Sequence, residues 1–291
     1  PEPVRLILLT SLTMMAFAAN SVLNRMAVDG MHIDPGSFAL IRVVSGAVML
    51  GMILSVRGGP VQLLWRPRLV GAFSLSVYMV GFSLAYLTLD AGLGALILFG
   101  TVQITMLGHA ARQPGGLRRQ QLVGAALAFG GLVYVLWPGP GGPPYLSGAM
   151  MMIAAGLGWA VYTIAGRSAT DALGATAANF LIAVPLLTLL LVGGGTSVTL
   201  IGAGLAIVSG AVTSGLGYAL WYSILPRLDT GVAAVVQLSV PVIAIIGGVL
   251  FLGEALTLRL FLASIVVLGG IAIAVTTSPV QADRKAAPAQ D

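Results

Sequence analysis

A succession of uncharged runs, each close to the length of a membrane crossing, restricts this chain more than any other feature. Charged residues make up 8% of the sequence and hydrophobic residues 58%, against roughly 25% charge in an average soluble domain. Hydrocarbon offers no water to backbone N–H and C=O groups, so only helices and closed barrels span it. A helix needs about 20 residues to cross a core of about 30 Å. Runs of that length predict ten helices, over approximately 5–27, 37–56, 69–89, 92–111, 119–137, 146–166, 175–192, 200–225, 232–252 and 258–277. Turn-forming groups separate them: Asp34-Pro35-Gly36, Arg57 to Pro60, Gln113 to Gly116, Gly139 to Pro144 and Gly193 to Gly195. The expected class is an all-α integral membrane protein. Leu6 to Leu23 runs into Asn24 and Arg25 without a small-residue cleavage site, so it reads as a helix and not as a signal peptide.

The two halves repeat each other. A shift of 139 residues carries Leu89-Asp90-x-Gly92 and Ala95 onto Leu228-Asp229-x-Gly231 and Ala234, and Gly130-Gly131 onto Gly269-Gly270. A shift of 142 pairs Arg25 with Arg167, Asp29 with Asp171 and Phe38 with Phe180. The organisation that follows is a first five-helix repeat over 1–137, a Pro/Gly linker over 138–145, a second repeat over 146–277 and a disordered tail over 278–291. Duplication of this kind in a membrane protein places a pathway or binding site between the halves.

Orientation follows from the basic residues. With the N-terminus inside, eleven of the 14 Lys and Arg fall on the cytoplasmic side, leaving Arg25, Arg42 and Arg259 toward the outside. Both termini are then cytoplasmic. Because five is odd, the second repeat enters the membrane upside down, giving an inverted repeat around a central cavity. The same rule accounts for the net charge of +5, which therefore gives no support to nucleic-acid binding; no basic run is interleaved with aromatics.

Several local patterns carry a resemblance. Phe17-Ala-Ala-Asn20-Ser21 lies in helix 1, Arg42 in helix 2, Tyr86-Leu-x-Leu-Asp-Ala-Gly92 in helix 3, and Leu157-Gly-Trp159-Ala-x-Tyr162 in helix 6. The strongest is Ala233-Ala-Val-Val-Gln-Leu-Ser-Val-Pro241 followed by Leu252-Gly253-Glu254. Over residues 5–277 the chain resembles the drug/metabolite transporter superfamily, in particular its EamA-type exporters, and within them the YddG-type exporters of aromatic and neutral amino acids. The resemblance implies a bacterial inner-membrane protein whose helices 1, 3, 4, 6, 8 and 9 surround the cavity, with 5 and 10 peripheral. The halves are not equivalent: Val102 stands where Pro241 does, and Pro114-Gly115 where Gly253-Glu254 does. A hinge at Pro241, which costs helix 9 a backbone hydrogen bond, has no proline counterpart in helix 4.

Polar residues inside a bilayer are expensive and mark cavities or partners. Asp29, Asp34, Asp90, Asp171, Asp229 and Glu254 all fall at helix ends or in loops, so no mid-membrane carboxylate relay is expected. His109, near the end of helix 4, is the remaining candidate proton site, and Arg42 the candidate gating residue. Arg25 and Arg42 either pair with Asp29, Asp34 or Asp90 at the outer face, or attract a carboxylate or close a gate. Asn20, Gln103 and Gln237 either bridge helices or face a solute. Tyr78, Phe82 and Tyr86 share one face of helix 3, Trp159 and Tyr162 one face of helix 6, and Tyr218, Trp221 and Tyr222 one face of helix 8. An apolar pocket with a few placed polar groups suits a neutral, partly apolar solute. The candidate substrate-binding set is Asn20, Tyr78, Phe82, Phe99, Gln103, Trp159, Tyr162, Tyr218, Trp221, Gln237 and Ser239.

Enzymatic readings fare poorly. The chain has no Cys, which excludes thiolate metal sites and cysteine nucleophiles. Val212-Thr-Ser214-Gly215 lacks the first Gly of a rhomboid-like Gly-x-Ser-Gly, and neither a His-Glu-x-x-His motif nor clustered Asp for a magnesium–diphosphate is present. No catalytic residue, metal site or cofactor is expected. The reading is a secondary exporter of neutral or aromatic amino acids, or similar small metabolites, working by alternating access as a monomer or homodimer in the lipid bilayer. Alternatives are a transporter of other metabolites or drugs, a channel, or an intramembrane enzyme.

Overall fold

Helix boundaries in the computed structural model, which describes residues 2–59, 66–114, 116–138, 145–166, 169–191, 196–228 and 235–276, are set by local chemistry. Helix α1 runs over Glu2–Asp29 and α2 over Pro35–Arg57. Asp34 caps α2, accepting from the Ser37 amide at 2.9 Å with Pro35 in the first turn, the arrangement that satisfies an otherwise orphaned donor. Helices α3 to α7 cover Arg66–Ala85, Ala91–Ala111, Arg119–Leu136, Leu146–Gly166 and Ala172–Leu191. Helix α8 spans Leu200–Arg227, α9 spans Val235–Leu252 with a turn at Leu238, and α10 covers Leu258–Val275. Thr199 and Thr257 cap α8 and α10 through their hydroxyls.

All ten helices are long and apolar enough to cross a membrane. Their outward faces carry large exposed apolar side chains, among them Val56, Leu189, Leu250 and Phe251, as contact with lipid requires. Packing contacts order eight helices into a ring: α1, α8, α2, α7, α3, α6, α4, α9 and back to α1. Helices α5 and α10 pair with each other and lean on α4 from outside the ring.

Three features depart from a uniform set of straight helices. First, α3 ends at Ala85 instead of near 89, and residues 86–88 close as turns. Second, α7 carries Pro185 in its interior. Third, the middle of α8, Val208–Leu216, is wound as a π-helix. At the ends, the α1–α2 and α7–α8 loops are pinned together. Ile33 and Val198 form an isolated antiparallel bridge, and the Asp34 carboxylate accepts from the Ser197 amide at 3.0 Å. Burial pushes the Asp34 carboxyl up, but the hydrogen bonds from Ser37 and Ser197 outweigh it and hold it below the usual carboxylate range. The expected linker core at 139–144, the glycine break at 193–195 and the tail over 278–291 lie outside the described residues.

Candidate transport site

Inside the ring, rings of the other kind form a chain. Tyr86 packs edge-on against Phe82 at 4.8 Å, Phe82 against Tyr78 at 5.3 Å, and Tyr78 against Trp159 at 4.9 Å. Trp159 in turn meets Tyr218 at 5.5 Å, and Tyr218 meets Phe17 at 5.6 Å. These separations are those that aromatic quadrupoles favour. A cavity of about 40 Å³ opens beside the chain, lined by Phe17, Asn20, Ser21, Tyr78, Phe82, Leu98, Phe99, Val102, Trp159, Tyr218 and Gln237. Its walls come from α1, α3, α4, α6, α8 and α9, the six helices that the family resemblance implied. A volume of that size admits water but is small for an amino acid.

The structure thus brings Asn20, Tyr78, Phe82, Phe99, Trp159, Tyr218 and Gln237 together on one cavity wall. It sets Gln103, Tyr162, Trp221 and Ser239 elsewhere. Gln103 follows Val102, so it is turned about 100° along the helix, away from the lining position. Tyr162 stacks on Trp159 at 5.2 Å but sends its hydroxyl to Thr176 on α7 at 3.0 Å. Trp221 is buried with Met14 and Ala18 in a neighbouring apolar cluster. Ser239 donates to the Val236 carbonyl at 2.6 Å across the turn before Pro241. His109 sits in the last turn of α4 beside Gln113 and is not part of the lining.

The polar cluster behind Asn20 is built by the π-segment. In an α-helix, residues five apart point in different directions; in a π-helix, where bonds run i to i+5, they share a face. Ser209, Thr213 and Ser214 therefore converge on one atom, Asn20 Oδ1, at 2.8, 2.6 and 3.4 Å. The spacing Ser-x-x-x-Thr-Ser was present in the sequence, but α-helical periodicity hides the convergence. One turn further along α1, Asn24 donates to Ser83 of α3 at 3.0 Å.

The sequence leaves two readings open for Arg25 and Arg42, an ion pair at the outer face or a carboxylate-attracting or gating role. Arg25 makes the ion pairs, reaching Asp29 at 3.1 Å, Asp90 at 3.6 Å and Glu254 at 3.7 Å. Arg42 instead is fully buried. Its Nε donates to Ser214 Oγ and its Nη2 to Tyr78 Oη, both at 3.1 Å, and its Cζ lies 5.3 and 5.1 Å from the centroids of the Tyr78 and Phe82 rings. The reason is geometric: two turns into α2, the side chain faces α8 and α3, not the loops that carry the carboxylates.

Glu254 has a role the sequence left unassigned. Gly253, with φ of 68°, ends α9 in the left-handed region that glycine enters without penalty. The reversal aims the Glu254 carboxylate at the start of α4, where it accepts from the Ala91 amide at 2.8 and 3.0 Å, an anion at a helix N-terminus. Burial pushes its carboxyl above the usual range, against the lowering effect of the Ala91 amide and of Arg25. No group of three or more His, Cys, Asp or Glu among the described residues is placed to hold a metal.

Ten membrane-length helices, six of which line an aromatic and polar cavity, define a multi-pass membrane protein. The model of the EamA-like transporter family matches residues 146–276. An uncharacterised protein of Pseudomonas aeruginosa is 48% identical over 274 residues, covering 92% of this chain and 94% of that one. A probable amino-acid metabolite efflux pump of Salmonella typhimurium is 29% identical over 201 residues, covering 64% and 67%. An uncharacterised transporter of Archaeoglobus fulgidus is 26% identical over 215 residues, covering 71% and 75%. A solved crystal structure, 23% identical, shares the fold with a TM-score of 0.63 over 91% of this chain and 96% of that one. The second half of the chain, residues 146–276, thus matches the EamA-like transporter family of the drug/metabolite transporter superfamily.

Proposed function

We propose that this protein is a secondary exporter of neutral or aromatic amino acids and related small metabolites, related to the YddG-type exporters, acting in a bacterial inner membrane by alternating access. The observation that carries the reading is the cavity itself, an aromatic cage with Asn20 and Gln237 as its polar groups, closed between helices of both halves. A relative described as a probable amino-acid metabolite efflux pump supports the same substrate class. The site residues that act on the solute are, on this reading, Asn20, Tyr78, Phe82, Phe99, Trp159, Tyr218 and Gln237.

The two halves act as inverted repeats with both termini cytoplasmic. Support comes from the ring: exchanging each of the first five helices with its counterpart in the second five maps α3–α6 onto α8–α1, α2–α8 onto α7–α3, and α4–α6 onto α9–α1. Pro241 has no N–H to give to the helix, lies next to the turn at Leu238, and so serves as the hinge of α9. Transport, not catalysis, is the activity.

The test is flux of radiolabelled amino acids through proteoliposomes of the purified protein, with and without an imposed pH gradient. Saturable flux, insensitive to the gradient and lost in Trp159→Ala and Gln237→Ala, is the expected result. Flux that requires the gradient would bring His109 forward as the proton site, and absence of amino-acid flux under both conditions would remove the substrate class.

A further inference from the structure

Arg42 is a fully buried cation without a counter-ion among the described residues. Of the carboxylates at the helix ends, Asp29, Asp90 and Glu254 are engaged by Arg25, Asp171 by Arg57, and Asp34 by backbone amides. Arg42 has two hydroxyl acceptors and two ring faces, and its Nη1 is buried with no hydrogen-bond partner at all. A lone ion at low dielectric is costly, and a buried donor left unused adds to that cost. Such groups persist in membrane proteins where a partner arrives from a pathway.

Its position fits that role. Tyr78 and Phe82, on which the guanidinium rests, both line the cavity, and Ser214 shares Asn20 Oδ1 with the cavity wall. Arg42 therefore stands one layer behind the wall, joined to it through Tyr78 Oη and through Ser214. No acidic side chain lines the cavity. The local field is that of a fixed positive charge with nothing opposing it.

We propose that the transported solute supplies the missing anion: a carboxylate held by Arg42 Nη1 together with the Tyr78 hydroxyl, with the apolar body of the solute against Trp159, Tyr218 and Phe99. This deepens the exporter reading and rests on it. The site selects by the negative group. Zwitterions and simple carboxylates with an aromatic or apolar body are carried, and amines that lack a carboxylate are rejected, because an ammonium meets a like charge and no acid. A guanidinium suits this task through its planar, multi-donor fork.

Phenylalanine, 3-phenylpropionate and phenethylamine share one ring and differ in their charged groups. Their binding to the full chain in detergent by calorimetry, and their inhibition of flux in proteoliposomes, decide the matter. Phenylalanine and 3-phenylpropionate should fall within tenfold of each other, with phenethylamine at least tenfold weaker. Arg42→Gln should abolish this discrimination, and Arg42→Lys should keep its sign. Phenethylamine binding as well as 3-phenylpropionate would overturn the carboxylate assignment while leaving the exporter standing, as would discrimination that survives Arg42→Gln. Failure of all three to bind or inhibit, in a protein that is folded, would remove the aromatic amino-acid reading together with this one. Should Arg42→Gln fail to fold, Tyr78→Phe takes its place: a severalfold loss confined to the two carboxylate ligands is expected, and affinities for all three ligands unchanged from their wild-type values would overturn the assignment.

Discussion

Where α6 meets α3, backbone lies on backbone. A Cβ at Gly158 would stand 2.7 Å from the Ser74 carbonyl oxygen and 3.0 Å from the Tyr78 amide, so the two helices touch with nothing between them. Where α1 meets α8, the approach is looser: a Cβ at Gly217 would find its nearest neighbour, Ala16 Cβ, at 3.5 Å. There the contact runs through the hydroxyls of Ser209, Thr213 and Ser214 on Asn20. Both seams border the same cavity, yet one is held by close packing and the other by exchangeable hydrogen bonds on a π-wound segment. Packed cores resist small displacements, whereas a hydrogen-bond cluster re-pairs as helices slide. On the alternating-access reading, the α3–α6 seam is the rigid unit and the α1–α8 seam the one that moves.

The largest effect should come from forcing the tight seam apart. Gly158→Ala is expected to cost about 2 kcal/mol through overpacking, read as a fall in the thermal midpoint of the detergent-solubilised protein. Gly217→Ala should stay within about 1 kcal/mol of wild type or gain stability, since helix propensity favours alanine and space is available. Equal losses at the two sites would erase the distinction between the seams. Removing the hub of the polar seam, Asn20→Ala, should cost about 1 kcal/mol in stability. Its larger consequence should fall on transport, as a rise of tenfold or more in half-saturating concentration.

Smaller effects belong to the ends of the ring. Glu254→Gln should match the wild type or exceed it by up to about 0.5 kcal/mol near neutral pH, because burial of the charge outweighs its favourable place at the N-terminus of α4. The two end carboxyls respond to pH with opposite sign. The folded value of Glu254 is raised, so the fold binds its proton more readily than the unfolded chain. Relative to Glu254→Gln, the wild type should therefore gain stability as pH falls through that raised value. Asp34 is lowered in the fold, so it contributes stability above its ordinary value and loses it as pH falls through the folded one. Relative to Asp34→Asn, the wild type should lose stability on acidification. Thermal midpoints of the three proteins across the acid range check both slopes.

Much of the architecture is readable from residue types. Runs without charge placed the helices, and four of their ends fall where Asp34, Thr199, Thr257 and Gly253 supply cap chemistry. Aromatic spacing brought Tyr78, Phe82, Trp159 and Tyr218 to one face each, because i, i+4 neighbours on an α-helix must share a face. The positions of Gln103 and Ser239 off the cavity lining were not legible in this way, since a mid-span polar residue in an apolar helix does not announce which side it faces. For Arg42 the sequence left an ion pair with Asp29, Asp34 or Asp90 open beside a gating role, and the direction of the side chain, toward Ser214 and Tyr78, removes the ion pair.

What the sequence alone determined was the medium and the count of crossings, because unsatisfied backbone in hydrocarbon leaves an uncharged run no alternative to a helix. Tertiary structure decided which of the buried polar groups meet. The convergence of three hydroxyls on Asn20 depends on π winding, and the pairing of Glu254 with the Ala91 amide joins residues separated by 163 positions. Arg42 acquires its meaning the same way, from the rings of α3 and the hydroxyl of α8 that pack around it. Periodicity along one helix carries no information about the helix packed across from it, and a site between helices is built from that second face.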